Sequence, residues 1–303
     1  MTAEKYNDPP TVLTIAGFDP SGGAGIIADI RTFVHFGCRP TAAITSLTFQ
    51  NSQGVFGAIH ETAESLRAQI LPIVKEFRVD AVKVGMLPTA ELVHEVARLI
   101  REEQLPAPVI DPVMQSSSGH RLMEDEAFEG LVTELLPLSR LVTPNIPEAE
   151  KLAGMNIVSE EEMQQAATRI RELGARAVLI KGGHLRPESG VRSQESGRGG
   201  RPTVREGVIK AIDVLDDQGQ LEVFRGEWIE TPPVRGTGCR LSSAIAACLA
   251  KRMSLVDSIS AAKEFVAAEI QNSNSNSNSN SNSNSNSNSN SNSNSNLKLK
   301  TEN

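Results

Sequence analysis

Short runs of β-branched residues alternate with longer helical patterns along most of this chain, and that alternation restricts the fold more than any other feature. Residues 11–16 precede a helical pattern at 25–36, 81–84 precede one at 89–102, and 109–111 precede one at 124–136. Repeated strand-then-helix units are the βαβ rhythm of a parallel sheet and predict an α/β fold. The rhythm resumes with a strand at 141–143 and a helix at 159–173. In that helix Ser159 and Glu162 have capping-box spacing, and Met163, Ala166, Ala167 and Ile170 recur at helical period. A strand at 177–180 follows. Residues 211–215 and 221–224 read as a hairpin around Asp217-Gln218-Gly219, and helices at 238–251 and 255–270 close the folded part.

Residues 11–270 are expected to form one domain, after a polar lead at 1–10 and before a low-complexity tail at 271–303. Within that tail, Asn and Ser alternate without interruption over 272–296, a tract with no apolar face to bury and an expectation of disorder. Residues 186–207, rich in Gly, Arg, Ser and Glu, read as a flexible surface insertion. With 39% hydrophobic residues among 303, a sizeable core can form. The formal net charge of −7 argues against a general nucleic-acid binder, whose surface is normally basic. No run approaches the roughly 18 apolar residues of a membrane span, and residues 1–10 lack the apolar stretch of a signal peptide. Cys38, Cys239 and Cys248 form no CxxC pair and are too few for a disulfide framework, so a reducing, cytoplasmic setting is expected. The histidines show no metal-ligand spacing.

Several strand ends carry chemistry. Gly236-Thr237-Gly238-Cys239 opens a helix, and its glycines let backbone N–H groups converge with the positive end of the helix dipole on one point suited to an anion, such as a phosphoryl group in transfer. The same helix end is expected to favour the Cys239 thiolate. Asp19-Pro20-Ser21-Gly22-Gly23-Ala24-Gly25 is a second Gly-rich strand-to-helix turn, although it is neither a P-loop nor GxGxxG. Asp111-Pro112-Val113-Met114 ends an apolar strand, where open parallel sheets gather ligands; its carboxylate can hold magnesium, orient a water or cap a turn. After Thr143, two prolines aim Asn145 and Glu148 to one side, either as oxygen ligands for magnesium with nucleotide phosphates or as helix caps. Lys181, before Gly182-Gly183-His184, sits at another strand end, facing phosphate or solvent. Gln50-Asn51 offers amides to a planar heterocycle, and Met86, after Lys83-Val84-Gly85, offers a soft apolar wall.

Read in order, Ala16-Gly-Phe-Asp-Pro-Ser-Gly-Gly-Ala-Gly25, Gln50-Asn51, Lys83-Val-Gly-Met-Leu87, Asp111-Pro-Val-Met114, Thr143-Pro-Asn-Ile-Pro-Glu148, Lys181-Gly-Gly-His184 and Gly236-Thr-Gly-Cys239 closely resemble the hydroxymethylpyrimidine/phosphomethylpyrimidine kinase family of thiamine biosynthesis, within the ribokinase-like superfamily. The resemblance spans about residues 11–270, apart from 186–207. It implies a ribokinase-like three-layer α/β/α sandwich with a central, mostly parallel sheet, usually in a homodimer, and two ATP- and magnesium-dependent steps. The first phosphorylates 4-amino-5-hydroxymethyl-2-methylpyrimidine, and the second converts its monophosphate to the diphosphate. By position, Gln50 is implied to bond the pyrimidine in a pocket shaped by Gly17, Met86 and Val113. Asp111, Asn145 and Glu148 are implied to organise magnesium and phosphates, with Lys181 on the nucleotide phosphates. Gly236, Thr237, Gly238 and Cys239 are implied to form the anion hole, with Cys239 aiding proton removal.

The chain departs from the family pattern in places. Many members carry Thr-His before Gly-Thr-Gly-Cys and a threonine after it, whereas this chain has Val234-Arg235 and Arg240. These guanidiniums add phosphate contacts or face solvent. Phe18 stands where a small hydroxyl residue is common, and the Asn-Ser tract stands in place of the family's C-terminal segment. The rival readings are a pyridoxal- or pyridoxine-type vitamin kinase and a catalytically silent pyrimidine-binding homologue.

Overall fold

Both faces of β1 (Thr11–Phe18) are buried: Leu13 and Ile15 enter one apolar core, Val12 the other. A strand with two dry faces belongs inside a parallel sheet covered by helices on each side. In the computed structural model, which describes residues 8–116, 118–183, 210–227 and 235–283, β1 occupies that place. It pairs in parallel with β2 (Arg39–Gln50) and with β4 (Val79–Val84). The parallel set continues through β5 (Val109–Ile110), β6 (Leu141–Val142) and β7 (Ala177–Lys181). At one edge β3 (Val55–His60) folds back antiparallel on β2; at the other, β8 (Lys210–Asp217) and β9 (Gln220–Glu227) add an antiparallel hairpin. Its turn has φ of 55° at Gln218 and 91° at Gly219, the doubly left-handed geometry that matches strand twist in two-residue hairpins.

The sheet order is β3-β2-β1-β4-β5-β6-β7-β8-β9. The chain thus moves outward one way from β1 and the other way from β4, and ligands of open α/β sheets bind at the strand C-termini beside such a reversal. α1 (Gly25–His35), α7 (Thr237–Ala250) and α8 (Leu255–Ser283) cover one face. The other face carries α2 (Ala63–Glu76), α3 (Ala90–Glu102), α4 (Asp125–Gly130), α5 (Ile146–Ala153) and α6 (Glu160–Glu172). α3 shows how pattern becomes packing: Thr89 caps it, and Leu92, Val93, Val96, Ala97, Leu99 and Ile100 are buried along one side. Burying each large member of that stripe stabilises by roughly 1.5–3 kcal/mol. In α6 the capping box of Ser159 and Glu162 forms as predicted, above the buried Met163, Ala166, Ala167 and Ile170.

Two predicted helices have different ends. The pattern at 124–136 is α-helical only to Gly130; a π-helical turn (Leu131–Leu135) and a 3-10 turn (Leu136–Leu138) follow, where Pro137 cannot extend the N–H ladder. The last helix does not stop at 270: α8 runs to Ser283 and takes in the start of the Asn-Ser tract, so the expected helix end is corrected. Asn and Ser lack the steep helix penalty of Gly and Pro, and the preceding turns supply the nucleus. Residues 1–7, the insertion at 186–207 and the tail beyond Ser283 lie outside the described residues.

Candidate functional site

The two Gly-rich turns meet. Gly236, the N-cap of α7, has φ of 75°, and a Cβ there would overlap the carbonyl oxygen of Gly23. Only glycine allows both the left-handed backbone and this approach. With no side-chain cap, the first helical bond runs from Arg240 N–H to Gly236 O at 2.9 Å. The N–H groups of Thr237, Gly238 and Cys239 precede that ladder, as an anion-binding helix start requires. A Cβ on Gly238 would lie 3.1 Å from Lys181 Nζ and 3.8 Å from Asp111 Oδ2, so the turn faces those charges directly.

Asp111, just past β5, accepts a hydrogen bond from Lys181 Nζ at 2.9 Å and a longer one from Thr143 Oγ1 at 3.4 Å. Burial works against the charge on Asp111, but Lys181, Lys83 and the Cys239 thiol outweigh it and hold its pKa below the usual carboxylate range. Lys181 stays firmly charged: burial opposes the ammonium, and Asp111 and Glu148 more than compensate. Asn145 and Glu148 form a capping box at the start of α5, with Asn145 Oδ1 accepting from Glu148 N–H and Glu148 Oε2 accepting from Asn145 N–H, both at 2.9 Å. The capping alternative is therefore realised. It leaves Glu148 buried, and its pKa is pushed up to about 7 by burial and by Asp111, against the pull of Lys181.

Beneath the turn lies a cluster that motif reading does not reveal. Lys83, on β4, donates to Asp29 Oδ2 at 2.9 Å, and both side chains are fully buried. Asp29, on α1, also accepts from Thr14 Oγ1 at 2.6 Å and from Ser243 Oγ of α7 at 2.7 Å. Burial opposes the Lys83 charge, but Asp29, Cys239 and Asp111 raise its pKa overall. A sequence signal existed: Asp29 falls on the same helical stripe as the buried Ile26 and Phe33, and Lys83 interrupts an apolar strand. Opposite charges on two buried faces must meet or pay a large desolvation cost.

The expected Cys239 thiolate is corrected by this environment. Burial, with Asp111 and Asp29 adding to it, pushes the thiol up to about 11, although Lys83 and the Gly25 backbone pull the other way. Two carboxylates and lost solvation outweigh the helix end, and Cys239 is a thiol at neutral pH.

Of the residues assigned to the acceptor ring, two meet at the β1–β4 reversal. Gly17 and Met86 touch, since a Cβ on Gly17 would lie 3.0 Å from Met86 Sδ; Met86 O accepts from Thr45 Oγ1 at 2.7 Å. Val113 is half-buried two residues beyond Asp111. A cavity of about 230 Å³ opens next to Met86, between His60, His120 and Met123. Gln50 ends β2, with its Nε2 donating to Thr48 Oγ1 at 2.8 Å and its Oε1 accepting from Arg235 Nη2 at 2.7 Å. Arg240 Nη1 donates to Arg235 O at 3.2 Å, so it braces the turn rather than only facing solvent.

The sequence matches the family model described as phosphomethylpyrimidine kinase over residues 19–284. It is 38% identical over 261 residues to hydroxymethylpyrimidine/phosphomethylpyrimidine kinase of Aquifex aeolicus, covering 86% of this chain and 94% of that one. Among solved structures, phosphomethylpyrimidine kinase of Clostridium difficile superposes with a TM-score of 0.70 at 33% identity, over 86% of this chain and 99% of that one. The ADP complex of Bacillus subtilis pyridoxal kinase superposes with a TM-score of 0.72 at 37% identity, over 85% and 90% of the two chains.

Proposed function

Because the chain belongs to the phosphomethylpyrimidine kinase family, a family of ATP-binding kinases, we infer that it phosphorylates 4-amino-5-hydroxymethyl-2-methylpyrimidine and then its monophosphate, in thiamine biosynthesis. In each turnover an acceptor oxygen bonds to the γ-phosphorus of ATP as the bond from that phosphorus to the β,γ-bridging oxygen breaks, and ADP leaves. The observation that carries this reading is the α7 N-terminus facing Asp111 and Lys181, which would lie 3.1–3.9 Å from a Cβ placed on Gly238. Phosphoryl transfer asks a protein chiefly to position two oxygens in line and to neutralise charge spreading over the equatorial ones. The N–H groups of Thr237, Gly238 and Cys239 take that charge from one side and Lys181 takes it from another.

Residues 11–270 carry the catalytic machinery as one domain. Asp111 and Glu148 are the carboxylates that would hold magnesium: both are buried, and the pKa of Glu148 is raised first by burial and further by Asp111, a charge crowding that a divalent cation would offset. Magnesium bound there would supply charge neutralisation for the nucleotide phosphates. Asn145, whose carboxamide oxygen caps α5, turns its nitrogen to phosphate. The first acceptor is a hydroxyl, whose proton passes to an oxygen of the transferred phosphoryl group as the new bond forms; the second is a phosphate oxygen that is largely ionised at neutral pH. Cys239 serves both as a positioning thiol, since a loose transition state demands little base strength. Gly17, Met86 and Val113 wall the ring, and Gln50 bonds it.

Free Cys38, Cys239 and Cys248 fit the reducing cytoplasm, and no helix among the described residues is long and apolar enough to cross a membrane. The enzyme forms a homodimer through Leu47, Phe49 and Ile59 on β2 and β3, which are exposed at 38%, 50% and 58%. The activity is tested by giving purified protein, magnesium and ATP with each acceptor in turn and weighing products by mass spectrometry. Monophosphate and then diphosphate are expected; efficient turnover of pyridoxine with neither pyrimidine product overturns the assignment.

A further inference from the structure

Arg235 is anchored where the acceptor site meets the anion turn. It directly precedes Gly236, and its guanidinium reaches two separate segments, Asp19–Ser21 and Gln50–Asn51. Nη2 donates to Gln50 Oε1 at 2.7 Å and to Asp19 Oδ2 at 3.4 Å; Nη1 donates to Asn51 O and to Ser21 Oγ at 3.3 Å. The side chain is 23% exposed, enough to meet a ligand without leaving its seat.

Among the described residues its one ion pair is long, 3.4 Å to Asp19 Oδ2. The Gln50 and Asn51 oxygens are neutral. Asp19 is 1% exposed and already committed, since Oδ1 takes Ser21 N–H and Ser21 Oγ at 2.8 and 2.7 Å and Oδ2 takes Ala24 N–H at 3.0 Å. By contrast Lys83 and Lys181 each hold a carboxylate at 2.9 Å. The same contacts also occupy Gln50: Arg235 takes its oxygen, and Thr48 takes its nitrogen. As it stands, the amide meant for the ring is turned to the protein.

We propose that Arg235 determines preference for the phosphorylated acceptor: its guanidinium binds the acceptor's own phosphate beside Gly236 and in doing so releases Gln50 to the pyrimidine. A neutral alcohol offers no anion to draw the arginine away and must compete with it for Gln50. A guanidinium suits the task because its planar fork meets two phosphate oxygens at once. The inference rests on the kinase reading above and goes further, making one side chain the discriminator between the two steps.

The test compares wild type, Arg235→Gln and Arg235→Lys by kcat/KM for the monophosphate and for the alcohol, with direct calorimetric titration of the monophosphate without nucleotide. A charge-assisted hydrogen bond contributes about 1.5–3 kcal/mol, so Arg235→Gln is expected to lower the monophosphate-to-alcohol ratio of kcat/KM roughly 10- to 100-fold. Arg235→Lys, which keeps charge but not the fork, is expected to recover part of that ratio. Monophosphate affinity of the wild type is expected to fall with added salt more steeply than that of Arg235→Gln. An unchanged ratio, whether both constants hold or fall together, overturns the proposal and leaves Arg235 a strut. The titration separates this from failure of the kinase reading: loss of monophosphate binding in Arg235→Gln supports the arginine's role even where turnover is absent, and equal binding by both proteins refutes it.

Discussion

Lys83 and Lys181 project from strands of one sheet, and each holds an aspartate at 2.9 Å near the start of α7. Around the first pair everything is closed: Asp29 collects Lys83, Thr14 and Ser243, tying β1, β4, α1 and α7 together with no exposed surface. Around the second pair charge is left over. Asp111 has Lys181, but Glu148 lies close enough for Asp111 to raise its pKa, and the pair looks onto free helix N–H groups. A buried network whose members are all satisfied fixes geometry, while one with surplus charge is set up to receive something. The closed cluster ties α7 to α1 and to the sheet through Ser243, and the open one faces the first turn of that helix.

The sharpest way to break the contrast is to open the closed side. Asp29→Ala leaves the Lys83 ammonium buried without its partner, and loss of one member of such a pair costs about 3–5 kcal/mol. Urea unfolding is expected to show that loss, with activity falling only as the folded fraction falls. On the open side the effects invert. Asp111→Asn leaves Glu148 beside Lys181, so the melting temperature is expected to move little, while kcat drops on the order of 10²–10³, the range for losing one preorganised electrostatic group. If both variants lose stability equally, the two clusters are one network and the contrast fails.

Glu148 sharpens it through pH. Its folded pKa, about 7, stands above the ordinary 4.5. The folded state therefore holds this proton more tightly than the unfolded chain. The resulting stabilisation is fully present below pH 4.5 and is lost as pH rises through about 7. A glutamine keeps the capping geometry and does not titrate. In metal-free protein, Glu148→Gln is expected to match wild type below pH 4.5 and to exceed it by on the order of 3 kcal/mol above pH 8. Parallel melting curves for the two proteins across that range would show instead that Glu148 is already ionised at no cost.

The closed cluster was harder to read than the open one, for physical reasons. Asp111, Lys181 and the Gly236 turn lie at strand ends and helix starts, where a polar residue or glycine interrupts a periodic pattern and invites a chemical explanation. Asp29 and Lys83 sit inside elements, and a side chain's partner across the core leaves no local trace beyond an odd charge on a buried stripe. The same split runs through the fold. β1, β4, β5, β6 and β7 were legible because burial makes each a dense apolar run, whereas the parallel β2, half-exposed along much of its length, was not. β3 was not, since an exposed edge strand has no clean alternation, with Phe56 67% and Ile59 58% exposed. α2 carries Pro72 inside it, and α5 opens on Ile146-Pro147, so prolines that punctuate other chains hid two real helices.

Cys239 joins the two clusters, and its substitution tests how far the closed one controls the open one. Lys83 from below and Asp111 from the side act on the same sulfur with opposite sign, and burial decides for the thiol at about 11. A general base contributes about 10²–10⁴ in rate, but a group with that pKa is ionised in only about one molecule in 10⁴ at pH 7. A thiol that positions Asp111 by donating to it is replaceable by a hydroxyl that donates the same way. Cys239→Ser is therefore expected to lose less than about tenfold in kcat with the alcohol acceptor and to keep the shape of the pH profile. A loss beyond about 100-fold confined to the alcohol, with the phosphate acceptor spared, would restore the thiolate as base and mean that substrate binding reverses the balance between burial and Lys83.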